Sequence, residues 1–315
     1  MLKEISAKAY AKINFGLKVY PKREDGFHSI ESIFHTIDLY DELIVTPTST
    51  KGCIVQCDSM QLPENNTLTN AYNAFCDIAG KEIPGVSVLL KKGIPAGGGL
   101  GGGSSDAAAL IRVLQKISGV TLSYSQLDYI ASKTGSDVFF FMHCDDEGKG
   151  CALVSGRGEV IKKIRPRNDI FLLMIFPNVS SSTKEAYYLV DKVLDSGEDV
   201  KAPDFDLYEN IYNSPIEQWS FVNTFTPVIA KAYPLVEAAI KDIKDAGCCY
   251  AEMSGSGSTV FGVFTSEQQA EFGCNLLGES WNCRFQRHLG DMLPELLQAA
   301  ASSLCPFRKH QMPRL

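Results

Sequence analysis

The sequence lacks several features that would by themselves identify the class of the protein. No run of apolar residues approaches the roughly 18 that a membrane-spanning helix needs. The longest, residues 170–176, has the length of a strand, and the N-terminal MLKEISAKAY contains no apolar core of a signal peptide. Positive charge is scarce, since 30 Lys and Arg face 37 Asp and Glu, giving a net charge of -7. These absences predict a cytoplasmic chain with no membrane or nucleic-acid partner.

The cysteines lack the arrangements that would mark a metal site or a disulfide scaffold. The ten of them form no CxxC pair and do not combine with histidine at zinc-ligand spacing. A chain of 315 residues can bury a core without disulfides. We therefore expect mostly reduced, buried thiols and no protein-only metal centre.

The composition is that of a folded globular protein, with 45% hydrophobic and 21% charged residues. A length of 315 residues favours two domains, because domains most often have about 100–150 residues. Residues 165–169 carry a proline and several charges directly before the apolar strand 170–176. We place the boundary there, which predicts domains over residues 1–165 and 166–315.

The order of the predicted elements indicates an α+β protein. Residues 5–19 alternate with period two and predict a half-buried strand or strand pair. Strands at 30–37 and 43–46, a helix at 67–79 and a strand at 86–90 follow. The second half predicts a strand, a helix at 184–195, a polar loop, helices over about 215–246, a strand-turn-strand at 251–264, a helix and a strand.

The strongest local signal is a stretch with six glycines among residues 97–103, directly before a predicted helix. Glycines let backbone N–H groups approach phosphate oxygens, and the start of a helix adds partial positive charge. The stretch therefore predicts a phosphate-binding loop rather than a flexible turn. Its members are Pro95, Ala96, Gly97, Gly98, Gly99, Leu100, Gly101, Gly102, Gly103, Ser104 and Ser105. We expect Ser104, Ser105 and Asp106 to cap the helix.

Two other phosphate-loop types fit this stretch poorly. It lacks the Lys-Ser/Thr ending of a Walker A loop. Its glycines satisfy GxGxxG, but no acidic residue ends a second strand about 20 residues later, as a dinucleotide site requires.

A second run of small residues, 254–259, lies between two strand-like segments. Alone it is most simply a tight hairpin. Together with the first loop, it indicates a clamp across a cleft between the domains.

Phosphoryl transfer would need a carboxylate to take a hydroxyl proton and a cation to neutralise charge. Asp137 and Lys12 have the right types, although a helix N-cap and a solvated strand lysine are the ordinary interpretations of such residues. Their spacing does not show whether they meet. His28 and His143 are, in isolation, ordinary surface histidines.

Five motifs in this order resemble the GHMP kinase superfamily. They are AKIN at 11–14, DGFH at 25–28, the glycine loop at 95–105, GSDV at 135–138 and SGSG at 254–257. Within the superfamily the chain is similar to the kinases of the non-mevalonate isoprenoid pathway. The resemblance covers roughly residues 5–290 and implies a two-domain α+β fold, with the active site between an ATP-binding N-terminal domain and a ferredoxin-like C-terminal domain.

The resemblance also implies roles for individual residues. Asp137 would be the catalytic base, Lys12 its partner, and residues 95–105 would surround the ATP phosphates. The remaining candidates for substrate binding are Asn14, Phe27, His28, Thr183, Tyr187, Gly255, Ser256 and Gly257. The sequence departs from the family at Phe27 (usually Tyr) and Phe139 (usually Pro), which are conservative changes for stacking and backbone roles. It matches the family poorly over 197–224 and in the C-terminal tail.

The implied reaction is ATP- and Mg²⁺-dependent phosphorylation of the 2-hydroxyl of 4-diphosphocytidyl-2-C-methyl-D-erythritol, by a monomer or homodimer. Three alternatives stay open. A kinase of the same fold could act on homoserine or mevalonate, but those alcohols have no base for the DGFH motif to stack on. A catalytically silent nucleotide-binding regulator should lack the lysine or the aspartate, and a dinucleotide-dependent dehydrogenase should bind nicotinamide.

Overall fold

The first half of the chain is built around two long antiparallel strands, β1 (Ile5–Lys22) and β2 (His28–Thr48). The computed structural model describes residues 3–179, 181–197 and 201–286. The expectations for the C-terminal tail and for Cys305 lie outside these ranges. Where two apolar strands at 30–37 and 43–46 were expected, β2 is continuous. Its first half pairs with one neighbouring strand and its second half with another, so each half has its own partner.

A six-stranded sheet forms around this pair. Its strand order is β3-β4-β2-β5-β6, with β1 paired to β2. The added strands are β3 (Cys53–Cys57), β4 (Gly85–Lys91), β5 (Cys151–Gly156) and β6 (Val160–Lys163). Buried residues of four helices share a core with this sheet: α1 (Thr67–Ile78), α2 (Gly102–Ser118), α3 (Tyr124–Thr134) and α4 (Ser136–His143). No helix within the described ranges is long and apolar enough to cross a membrane.

The helix starts overturn one prediction and exclude one alternative interpretation. Helix α2 begins after Gly101, which has a φ of 71° and provides no side-chain cap. The expected capping residues Ser104, Ser105 and Asp106 lie inside the helix instead. Helix α4 begins after Gly135, so Asp137 stands in its first turn and is not the N-cap. The carboxylate is therefore available for other contacts.

The second half forms a four-stranded antiparallel sheet of order β10-β7-β9-β8. The strands are β7 (Phe171–Phe176), β8 (Tyr250–Met253), β9 (Val260–Phe264) and β10 (Asn282–Gln286). The helices are α5 (Thr183–Asp195), α6 (Tyr208–Asn213), α7 (Phe225–Ala232), α8 (Pro234–Asp245) and α9 (Glu267–Leu277). Numbered within this sheet, the strand order is 4-1-3-2 with helices in the first and last connections, which is the ferredoxin-like arrangement.

An aromatic core joins the two sheets. The ring of Phe15 on β1 lies 4.9 Å from Trp219 and 5.7 Å from Phe261 on β9. The second sheet thus covers the face of β1 that carries Phe15. The alternating pattern had predicted that only one face of this strand is buried. The centre of β1 is buried on both faces, and Lys12 and Asn14 are only 3% and 1% exposed. The solvated-lysine interpretation of Lys12 is therefore wrong.

Candidate active site

A cavity of about 440 Å³ opens where β1, the glycine loop, α5 and the β8–β9 loop meet. Most residues singled out from the sequence line it: Lys12, Asn14, Pro95, Ala96, Gly97, Gly98, Gly99, Leu100, Gly101, Gly102, Gly103, Ser104, Asp137, Thr183, Tyr187, Gly255 and Ser256. Four others do not: Phe27, His28, Ser105 and Gly257. The volume is in the range of small-molecule sites. Residues far apart in the sequence thus converge on one cavity.

The glycine loop has a backbone that only glycine adopts easily. Gly97, Gly99 and Gly101 have φ values of 69°, 74° and 71°. A Cβ added to Gly99 would lie 2.0 Å from the carbonyl oxygen of Ser254, and one added to Gly101 would lie 2.9 Å from the Phe141 ring. The loop passes directly into α2, whose first N–H groups and dipole favour an anion. This geometry suits a phosphate-binding loop.

Lys12 and Asp137 meet in the cavity. The Nζ atom of Lys12 lies 3.4 Å from Oδ2 of Asp137. It donates hydrogen bonds to Oδ1 of Asn14 at 2.8 Å and to the carbonyl oxygen of Gly99 at 3.1 Å. The side chain of Asp137 is 32% exposed, whereas that of Lys12 is 4% exposed. A buried cation is therefore held beside a carboxylate that faces the open cavity.

Asn14 holds the Lys12 ammonium through a hydrogen bond. Its amide nitrogen donates to Oγ of Ser32 at 3.0 Å, while its oxygen accepts from Lys12. Ser32 in turn donates to the carbonyl oxygen of Gly16 at 2.5 Å. Asn14 therefore links Lys12 to Ser32, and its side chain also borders the cavity.

The two small-residue loops touch each other, as the clamp interpretation requires. Oγ of Ser254 donates to the carbonyl oxygen of Gly99 at 3.1 Å, and the Thr259 N–H donates to Gly98 at 3.3 Å. Ser256 and Thr183 approach through their hydroxyl oxygens at 3.2 Å. The β8–β9 loop of the second sheet thus closes one side of the cavity.

The aromatic candidates for substrate binding are only partly brought together. The rings of His28 and Tyr187 stack with centroids 4.7 Å apart, and the edge of Phe225 contacts the tyrosine at 5.0 Å. Burial, assisted by the nearby Asp137, raises the pKa of Tyr187 to about 12. Phe27 points away: it is 53% exposed and lies under the guanidinium of Arg157.

His28 already uses both ring nitrogens. Its Nδ1 atom lies 2.8 Å from the carbonyl oxygen of Tyr20, and its Nε2 atom lies 3.3 Å from Oδ1 of Asp191. A ligand that bonds to this ring edge would have to replace Asp191.

A buried charge cluster under the glycine loop escaped the sequence interpretation. Lys92 contacts the carboxylates of Asp41 and Asp106, the latter at 3.3 Å. Asp41 also accepts from the N–H groups of Gly93 and Ile94 at 2.7 and 2.8 Å. Local sequence gives no sign of this cluster, because its members come from β2, the residues after β4, and α2.

The cluster lies against the glycine-loop side of the cavity, which Lys92 and Asp106 line. Burial raises the pKa of Asp106 to about 8, because Lys92 only partly compensates for it and the Asp41 carboxylate adds to it. Oδ1 of Asp106 is buried without a hydrogen-bond partner among the described residues. The described residues contain no group of three or more His, Cys, Asp or Glu able to hold a metal alone.

Comparison with known proteins agrees with this geometry. Residues 66–145 match the family model of the GHMP kinase N-terminal domain, and residues 207–283 match that of the GHMP kinase C-terminal domain. A solved 4-(cytidine 5'-diphospho)-2C-methyl-D-erythritol kinase is 27% identical with a TM-score of 0.72, over 90% of this chain and 98% of the other. A homoserine kinase from Cytophaga hutchinsonii has a TM-score of 0.68 at 18% identity, over 91% of this chain and 96% of the other, which shows the fold alone.

Curated relatives are more similar in sequence. The 4-diphosphocytidyl-2-C-methyl-D-erythritol kinase of Treponema pallidum is 37% identical, covering 89% of this chain and 97% of the relative. That of Thermodesulfovibrio yellowstonii is 33% identical, covering 92% and 99%. Because the similarity extends over nearly the whole length of both relatives, the chain belongs to the 4-diphosphocytidyl-2-C-methyl-D-erythritol kinase family of the GHMP kinases.

Proposed function

We propose that the protein transfers the γ-phosphoryl group of ATP to the 2-hydroxyl of 4-diphosphocytidyl-2-C-methyl-D-erythritol in isoprenoid biosynthesis. The observation that carries this proposal is the contact of Lys12 and Asp137 at the end of a glycine loop, in a cavity of small-molecule size. The relatives of this family have the same activity in their names.

The proposed step uses one carboxylate and one ammonium group. Asp137 takes the proton of the 2-hydroxyl, and the oxygen forms a bond to the γ-phosphorus. The bond between that phosphorus and the β–γ bridging oxygen breaks, and ADP leaves. Lys12 stabilises the negative charge that develops on the transferred group, since its buried ammonium needs no rearrangement to do so. The proton on Asp137 then returns to solvent.

The N–H groups of the glycine loop and of the first turn of α2 would bind the ATP phosphates. Mg²⁺ would neutralise phosphate charge there. Ser104 lines the cavity, and one buried oxygen of Asp106 has no hydrogen-bond partner in the described part of the chain. These donor types fit an ion that keeps several waters and phosphate ligands. We propose Ser104, Ser105 or Asp106 as its protein contacts, directly or through water.

For the substrate, we propose that Tyr187 and Phe27 stack on the cytosine and that His28 bonds to its edge. Tyr187 and Thr183 border the cavity, and His28 lies against Tyr187. Phe27 lies on the exposed turn next to His28 and points away from the cavity, so it would have to turn toward the base to stack on it. The β8–β9 loop residues Gly255, Ser256 and Gly257 would hold the diphosphate or the alcohol end.

We propose two domains over residues 1–165 and 166–315, a cytoplasmic location and a monomeric or homodimeric state. The separate sheets support two domains. The aromatic core between them means that these domains are not independent of each other.

An ADP-release assay with the purified protein tests the function. We expect turnover with the cytidine substrate and a kcat/KM at least about 100-fold lower with homoserine or mevalonate, because these lack the base. Faster turnover with either of these alcohols would replace the proposed substrate. Nucleotide binding without turnover on any alcohol would indicate the silent regulator.

A further inference from the structure

The segment that precedes α7 crosses behind the cavity and connects β1 to the β8–β9 loop. Leu17 pairs with this segment through both of its backbone groups. Its N–H donates to the carbonyl oxygen of Val222, and its carbonyl oxygen accepts from the Thr224 N–H, each at 2.8 Å. Asn223 lies between these bonds and is only 2% exposed. This is part of the region that departs from the family pattern in the sequence.

The amide of Asn223 uses every polar atom that it has. Its nitrogen donates to the carbonyl oxygens of Met253 at 2.9 Å and Gly255 at 2.8 Å. Its oxygen accepts from the N–H of Phe225 at 2.9 Å. Only an amide of this size offers two donors and one acceptor in this arrangement. The two carbonyls that it binds stand on either side of Ser254.

Ser254 leads from this amide to the lysine. The carbonyl oxygen of Gly99 accepts from both Oγ of Ser254 and Nζ of Lys12, each at 3.1 Å. A Cβ added to Gly255 would lie 2.8 Å from the same oxygen and 3.3 Å from Nζ of Lys12. The position of the loop therefore decides where the Gly99 carbonyl, and through it the lysine ammonium, can stand.

We propose that Asn223 is a positioning residue for the phosphoryl transfer, acting through Ser254 and the Gly99 carbonyl on Lys12. This inference rests on the proposed function. Asn223 does not line the cavity and has no contact with the substrate in this role. Small displacements of a catalytic group can cost up to about 100-fold in rate, so a distant amide that fixes the loop has a measurable effect.

Thr224 offers a matched control beside Asn223. It is 5% exposed, and its Oγ accepts from the Val19 N–H at 3.1 Å, so its side-chain bond is to β1 and not to the β8–β9 loop. Asn223→Ala and Thr224→Ala each remove a buried polar side chain from the same segment. Only the first leaves two loop carbonyls without their donor. Alanine is preferred to aspartate because the half-buried Glu252 carboxylate accepts from the Asn223 N–H, and a second carboxylate beside it would repel it.

The experiment measures kcat, both KM values and the free energy of unfolding for the two variants. We expect Asn223→Ala to lower kcat about 10-fold or more while both KM values change less than about 3-fold, because the effect falls on transition-state stabilisation. Thr224→Ala should lose stability and keep kcat within about 2-fold. Should Asn223→Ala not fold, Asn223→Ser, which keeps one donor, takes its place in the comparison.

A double-variant cycle with Ser254→Ala tests the route of the effect. If Asn223 acts through Ser254, the double variant is no slower than the slower single variant. Independent losses that multiply, or equal kcat values for Asn223→Ala and Thr224→Ala, would overturn the positioning role. A wild-type protein without turnover on any alcohol would instead refute the proposed function.

Discussion

At the scale of single residues, the Lys12–Asp137 pair carries the proposed chemistry. Asp137→Asn and Lys12→Ala should each lower kcat about 100-fold or more while ATP still binds, because base and charge-stabilising roles act mainly in the transition state. Steady-state ADP release and nucleotide titration measure the two effects.

Two surface residues provide controls for this pair. Asp128 on α3 contacts His143 at 3.1 Å and is 44% exposed, and Lys8 is an exposed lysine on the same strand as Lys12. Asp128→Asn and Lys8→Ala should leave kcat within about 2-fold. Near-normal turnover of Asp137→Asn would show that Asp137 is not the base and serves only as a carboxylate in the first turn of α4.

The buried Asp106 makes stability depend on pH. Its pKa is about 8 in the folded protein and returns to about 4 in the unfolded chain. Between these values the folded state holds a proton that the unfolded state has lost, so the stability contributed by this group falls as the pH rises and is constant above about 8. Asp106→Asn removes the effect. Urea denaturation should show the variant gaining stability relative to wild type from about pH 5 to pH 8, and parallel curves would contradict this.

The DGFH turn decides substrate affinity in our proposal. Phe27→Ala and His28→Ala should raise the KM for the cytidine substrate about 5-fold or more, since a stacked base is worth about 1–3 kcal/mol, and leave the KM for ATP unchanged. His28→Ala should also weaken discrimination against a uridine analogue. Phe272→Ala removes a similarly exposed ring from α9 and serves as the control. If these variants instead lost ATP affinity and kept normal affinity for the cytidine substrate, the DGFH turn would belong to the ATP site.

At the scale of elements, the glycine loop and α2 form one unit. Gly101→Val would force a β-branched side chain into a φ of 71° and against the Phe141 ring, so ATP affinity should fall about 10-fold or more. Gly119 ends the same helix with a φ of 65° and open space around it. Gly119→Val should cost stability but leave ATP affinity unchanged. Equal ATP titrations for the two variants would show that the loop does not bind phosphate.

Local patterns predicted those features that depend on neighbours in the chain. The glycine loop and α2 were predicted because glycine content and helical periodicity are local properties. The burial of Lys12 has a different cause: an alternating pattern cannot show that the glycine loop and Asp137 cover the polar face of β1. The contact of Lys12 with Asp137 and the cluster around Lys92 likewise depend on distant segments. Asn223 could not be singled out from the sequence, because its proposed role depends on its contacts with the carbonyl oxygens of Met253 and Gly255.

At the scale of the whole molecule, the two sheets should unfold together. Trp219 lies between them, next to Phe15 of β1. Trp281 lies outside this aromatic core and donates a hydrogen bond to Asp242. In a Trp281→Phe variant, the fluorescence of Trp219 reports on the shared core alone. Its urea midpoint should coincide with that of far-ultraviolet circular dichroism, because neither sheet keeps its core without the other. Two separated transitions would contradict a single cooperative unit.

The strand that carries Lys12 also carries Phe15, three residues away and inserted between the sheets. Swinging the halves apart to admit a ligand would expose Phe15 and its aromatic neighbours, at roughly 1.5–3 kcal/mol for each buried side chain. Ligand exchange by such a hinge would therefore be slow. An opening that leaves this core intact would have to be at the rim, where α5 borders the cavity and contacts the DGFH turn through Tyr187 and His28. The rate of ADP release should therefore depend on substitutions at the rim and on solvent viscosity, while the aromatic core between the sheets stays packed throughout the catalytic cycle.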